Sequence, residues 1–121
     1  EQKQMATLAL EKPLPAGKAT IHIKFTGILN DKLRGLYLSQ TRRRRYAATQ
    51  FEATDARRAF PCWDEPEMKA VWAVSLVVDE RDLAVTNTRE IGRETAGPGK
   101  VRVRFADSNV GGSTKSTGAT E

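Results

Sequence analysis

The chain has 121 residues, 39% of them hydrophobic and 29% charged, with a formal net charge of +5. This is the composition of one globular domain or part of one, which excludes a disordered chain, and no apolar run approaches the ~18 residues of a membrane span. The single cysteine, Cys62, excludes an internal disulfide framework and points to a reducing, cytoplasmic compartment.

The chain opens on Glu1-Gln2-Lys3-Gln4 rather than on Met. These residues lack the basic-then-apolar order of a signal peptide, and the opening reads as processing or truncation. Residues 4–10 are expected to form a first strand, and Lys12-Pro13-Leu14-Pro15-Ala16-Gly17 a turn. Ile21, Ile23 and Phe25 alternate with Thr20, His22 and Lys24, the period of a half-buried strand. Residues 35–39 and 46–50 read as two strands joined across Arg42-Arg43-Arg44-Arg45. Residues 55–59 suit one helical turn, capped by Thr54 and ended before Pro61.

Residues 69–78 give the longest strand pattern. Trp72, Val74, Leu76 and Val78 share one face, and Val71, Ala73 and Val77 make the other apolar enough to be covered as well. Residues 83–88 suit a short strand. A turn follows at 95–100, around Gly97-Pro98-Gly99, and then a strand over 101–105, where Val101, Val103 and Phe105 alternate with Arg102 and Arg104. Residues 109–121, rich in Gly, Ser and Thr, read as a flexible tail, so the domain is 1–108. The expected fold is all-β: an antiparallel saddle or sandwich of short strands, with one short helical turn near residues 55–59.

Chemistry concentrates in residues 49–66, Thr-Gln-Phe-Glu-Ala-Thr-Asp-Ala-Arg-Arg-Ala-Phe-Pro-Cys-Trp-Asp-Glu-Pro. A plain connector needs only turn residues. If the strand continues through Glu52, Gln50 and Glu52 present an amide and a carboxylate on one side, with Phe51 on the other. Such a carboxylate can bind an ammonium group, or it can pair with a nearby arginine or cap a turn. The carboxylates of Asp55, Asp64 and Glu65 are expected to pair with Arg57 and Arg58 and hold the loop, rather than to bind a divalent ion. A nucleophilic Cys62 would need a base, and the only histidine is His22, so a packed, inert thiol is expected. One His and one Cys do not make a zinc site, and H-E-x-x-H, phosphate-loop and G-x-S-x-G motifs are absent from the sequence. Arg42 to Arg45 could grip phosphates beside Tyr37, Tyr46 and Phe51. An exposed hairpin tip is the expected reading, with no nucleic acid as partner.

Residues 49–66 resemble the signature of the zinc aminopeptidases of the aminopeptidase N and puromycin-sensitive type. The resemblance extends over about Leu10 to Phe105, through Leu-Glu-Lys-Pro-Leu-Pro-Ala-Gly at 10–17 and Ile-Lys-Phe-Thr-Gly-Ile-Leu-Asn-Asp-Lys-Leu-Arg-Gly-Leu-Tyr at 23–37. It implies a piece of the N-terminal β domain of a peptidase that removes N-terminal residues from peptides. In that family the residue matching Glu52 binds the substrate's α-amino group and the one matching Gln50 lines the same pocket, while the segment around Arg57 and Asp64 is scaffold. Ala53 stands where many relatives carry Pro. The G-x-M-E-N loop and the H-E-x-x-H helix are missing from the sequence, so the resemblance places zinc and catalysis in a separate catalytic domain of the parent. This chain is expected to bind no metal and to be inactive alone. The alternative is a free-standing, non-catalytic β module that binds a protein, a peptide or a polyanion.

Overall fold

A computed structural model describes residues 5–65 and 67–108. Its regular elements are five strands and one 3-10 turn: β1 (Gly35–Gln40), β2 (Arg45–Gln50), the turn Ala56–Arg58, β3 (Ser75–Asp79), β4 (Glu90–Gly97) and β5 (Lys100–Phe105). The architecture is all-β, as expected, with two antiparallel sheets of order β1-β2 and β3-β5-β4. The chain divides between Met68 and Lys69 into two compact units, one carrying each sheet. The expected tail at 109–121 lies outside the described residues.

In the first unit β1 and β2 form a hairpin in which Gly35 faces Gln50 and Gln40 faces Arg45. Asn30 folds the approach to it. Its side-chain Nδ2 donates to the carbonyls of Arg34 and Leu36, both at 2.9 Å, and its Oδ1 accepts from the Lys32 amide at 2.8 Å. One amide side chain thus satisfies three backbone groups of this approach. The Asn30 carbonyl also accepts from the Leu38 amide at 2.6 Å, making a short parallel bridge on the outer edge of β1.

In the second unit the alternation of β5 sets the core. Val103 is fully buried and Phe105 nearly so, with Ala84 beside them and Val74, Val78 and Val101 packed around. Arg102 and Arg104, on the other face, are exposed. There Arg102 reaches Glu94 of β4 at 3.3 Å and Lys100 reaches Asp79 of β3 at 3.0 Å. These are exposed cross-strand pairs that fix register more than they stabilise.

Several expected strands are not regular. Residues 5–29 form no ladder, and Ile21, Ile23 and Phe25 are about half exposed. Alternation declares a face, but a strand also needs a neighbour, and no described segment supplies one. The pattern at 69–78 becomes a ladder only from Ser75. Before it, pairing continues through single bonds: Phe105 amide to Val74 carbonyl at 3.1 Å, Ser108 amide to Trp72 carbonyl at 2.9 Å, and Trp72 amide to Ser108 Oγ at 2.8 Å. Its second face is not covered among the described residues, with Val71 and Val77 exposed. Residues 83–88 are irregular because hydroxyls replace the ladder. Thr86 Oγ1 accepts from the Thr88 amide at 3.2 Å, and Thr88 Oγ1 donates to the Ala106 carbonyl at 2.6 Å. β4 was hidden in the sequence because it carries charge and Gly92 rather than alternating apolar residues.

Candidate functional site

The first unit delivers residues 50–64 as one braced loop. β2 ends at Gln50. Phe51 then meets Phe60 edge-on, with ring centres 5.5 Å apart and planes at 83°, a favourable aromatic geometry. The Phe51 carbonyl accepts the Asp55 amide at 2.9 Å, closing the turn that holds Glu52. The Glu52–Ala53 peptide is cis. Since β2 stops at Gln50, strand alternation does not set the direction of Glu52, contrary to the simplest reading of the spacing. The turn between Phe51 and Asp55 sets it instead.

The helical turn at 55–59 is present as the 3-10 turn Ala56–Arg58, but its cap is Asp55 rather than Thr54, and the Asp55 side chain makes no capping hydrogen bond. The Asp55 carboxylate is engaged elsewhere, accepting from Arg58 Nε at 2.6 Å. Arg57 makes a three-point clasp with Asp64. Its backbone amide and its Nε donate to Asp64 Oδ2 at 3.0 and 2.8 Å, and its Nη2 donates to the Asp64 carbonyl at 2.9 Å. The guanidinium and backbone bonds hold the Asp64 carboxyl below the usual carboxylate range, and Asp64 in turn raises Arg57. The expected scaffold of paired arginines and carboxylates is thus formed by Asp55, Arg57, Arg58 and Asp64. Glu65 is exposed and makes no ion pair among the described residues.

With both arginines committed, Glu52 has no hydrogen bond or ion pair among the described residues, and its side chain and that of Gln50 are exposed. Gly35, opposite Gln50, is the residue that sequence reasoning passed over. It is buried at φ +65°, and a Cβ built there would lie 2.7 Å from Arg58 Cβ and 3.2 Å from the Asp55 carbonyl oxygen. The turn Asp55–Arg58 therefore rests directly on the end of the hairpin, against the backbone that pairs with Gln50. The signal was the loop composition Asn-Asp-Lys-Leu-Arg-Gly at 30–35, which marks a turn needing a left-handed residue.

Cys62 is half-buried, and burial together with the Asp64 charge pushes its thiol up, with Arg57 opposing. That is the setting of an inert thiol rather than a nucleophile. His22 is exposed. No three His, Cys, Asp or Glu side chains cluster to hold a metal ion among the described residues, so these residues do not fit a zinc centre. No helix among them is long and apolar enough to cross a membrane.

Comparison with known proteins gives the geometry a context. The model of the Peptidase M1 N-terminal domain matches residues 1–114. The chain is 38% identical to Aminopeptidase M1-D of Oryza sativa subsp. japonica over 114 residues, covering 91% of this chain and 13% of that protein. It is 39% identical to the Puromycin-sensitive aminopeptidase of Caenorhabditis elegans over 114 residues, covering 89% and 12%. With Aminopeptidase 2, mitochondrial, of Saccharomyces cerevisiae it shares 48% over 88 residues, covering 65% and 9%. The chain thus spans about an eighth of the length of the first two relatives. The match over nearly the whole chain, with relatives that are named aminopeptidases, is decisive: the chain belongs to the Peptidase M1 N-terminal domain family.

Proposed function

We propose that this chain is part of the substrate-anchoring β domain of a longer, zinc-dependent aminopeptidase, in which Glu52 takes the α-ammonium group of a peptide and Gln50 lines the same pocket. The observation that carries this reading is the state of Glu52. It follows a strand in a Gln-Phe-Glu triplet, it is exposed, and its neighbouring arginines are already paired with Asp55 and Asp64. A carboxylate so placed can accept charge-assisted hydrogen bonds from an ammonium group. Holding the amine also fixes the scissile bond one residue away, and positioning of this kind is worth orders of magnitude in rate.

Each side chain has a part in this reading. Arg57, clasped to Asp64, and Arg58, on Asp55, keep the loop in one shape. Phe51 anchors the loop through Phe60, and Gln50 and Glu52 face the substrate. Residues 1–108 are part of the β domain and work beside a separate catalytic domain. In this reading zinc is held by that catalytic domain. The lone cysteine suits a cytoplasmic protein, and this segment is inactive by itself. The reading is tested by assaying the full-length protein for release of the first residue from unblocked and N-acetylated peptides, with and without a chelator. Turnover of unblocked peptides only, lost on chelation and restored by zinc, is expected. Equal turnover of acetylated peptides would contradict amine anchoring.

A further inference from the structure

The turn between β1 and β2 and the first residue of β2 carry four consecutive arginines, Arg42 to Arg45, and the aminopeptidase reading gives them no task. The turn is closed without their side chains. The Thr41 amide donates to the Arg44 carbonyl at 2.8 Å, and Thr41 Oγ1 accepts from the amides of Arg43 and Arg44 at 3.3 and 3.0 Å. All four arginines are exposed, and none makes an ion pair among the described residues, where Arg57, Arg58, Arg93, Lys100 and Arg102 all do. Uncompensated like charges crowded onto one turn repel each other, and a partner with closely spaced anions relieves that repulsion.

We propose that the arginine turn is a docking site for an acidic, carboxylate-rich polypeptide segment. The guanidinium fork matches a carboxylate in two parallel bonds, which a point charge cannot do. The neighbouring backbone favours a polypeptide over other polyanions. The outer edge of β1 is bridged by Asn30, whereas β2, which begins at Arg45, has no partner on its outer edge among the described residues. An extended chain can add to such an edge through its own backbone groups, which neither a nucleic acid nor a lipid headgroup can do. The tip, Thr41 to Arg45, holds no apolar side chain to enter a bilayer. Of the hairpin's two rings only Tyr46 is exposed, Tyr37 being half-buried, where stacking of successive bases asks for several.

The test uses the full-length protein and an N-acetylated, fluorescein-labelled oligoglutamate peptide. Its blocked amine keeps it from the site proposed at Glu52, so binding should be the same in Glu52→Gln, and failure of the aminopeptidase reading would leave the result standing. Fluorescence anisotropy should show affinity falling at least about tenfold from low to high salt as the charges are screened. The variant R42Q/R43Q/R44Q, which leaves Arg45 in its strand, should bind at least about tenfold more weakly with an unchanged circular dichroism spectrum. Independently of any variant, hydrogen exchange of the wild-type protein should slow at the β2 amides when the peptide is bound. Equal binding by the triple variant, absence of protection at β2, or tighter arginine-dependent binding of polyuridylate or phosphatidylserine vesicles than of oligoglutamate would each overturn the proposal.

Discussion

Gly35→Ala should loosen the loop that carries Gln50 and Glu52 without touching either residue. Two costs add at this position. An L side chain at φ +65° costs about 1–2 kcal/mol. The new Cβ would also lie 2.7 Å from Arg58 Cβ and 3.2 Å from the Asp55 carbonyl oxygen, where ordinary contact begins at 3.4 Å. These neighbours are a Cβ and a backbone oxygen rather than the free end of a side chain, so the turn itself must move, an overpacking cost of about 1–3 kcal/mol. Replacing glycine stiffens the unfolded chain, which returns about 0.4–1 kcal/mol. The net loss is about 1–4 kcal/mol, felt first by the β1-β2 hairpin. Native-state hydrogen exchange on the full-length protein reads such local stability. Protection of the β1 and β2 amides should fall between about fivefold and several hundredfold. Gly27→Ala is the control, because nothing lies within 4 Å of a Cβ there and its φ is not in the left-handed region. If Gly35→Ala matched Gly27→Ala, the close packing of Asp55–Arg58 on the hairpin would be refuted.

The other predictions concern the clasp and the second unit. Asp64 has a lowered pKa in the folded state, through the Arg57 side-chain bond first and the Arg57 amide second, so its contribution is present above the unfolded value. Thermal unfolding midpoints of wild type and Asp64→Asn should therefore differ at neutral pH and converge as pH falls below about 4 and through the lowered folded value; a gap independent of pH would argue against the charge-assisted clasp. Val103→Ala removes fully buried methyl groups from the second unit and should cost about 1.5–3 kcal/mol. Val77→Ala, at a position 54% exposed, should stay within about 0.5 kcal/mol, and equal losses at both sites would contradict the assigned faces of β3 and β5.

The hairpin and β5 were readable from sequence because each declares itself locally. The first has two β-rich runs around a polar turn, and the second has a strict alternation of valines and phenylalanine with cations. β4 was not readable, since Glu90, Arg93 and Glu94 earn their places through ion pairs and a neighbouring strand rather than through burial. The hydrophobic alternation at Ile21, Ile23 and Phe25 was readable but gave the wrong element. Side-chain period reports which face wants burial, and a ladder depends on what lies alongside. In the candidate site, the residue types and the arginine-carboxylate scaffold could be anticipated. Which arginine takes which carboxylate could not, because both carboxylates lie within seven residues of both arginines and only the turn geometry decides. The role of Gly35 was equally hidden, since a glycine in sequence does not say what crosses over it.

The anchoring role of Glu52 is the central claim, and kcat/KM for an unblocked peptide, measured for wild type and Glu52→Gln in the full-length protein, tests it most directly. The substitution keeps the size of the side chain and removes the charge that would meet the ammonium group. The account predicts a fall of at least about thirtyfold, because a misplaced amine misplaces the scissile bond, with hydrogen-exchange protection of β1 and β2 unchanged. An unaltered kcat/KM would contradict it and would leave the Gln-Phe-Glu turn as scaffold alone.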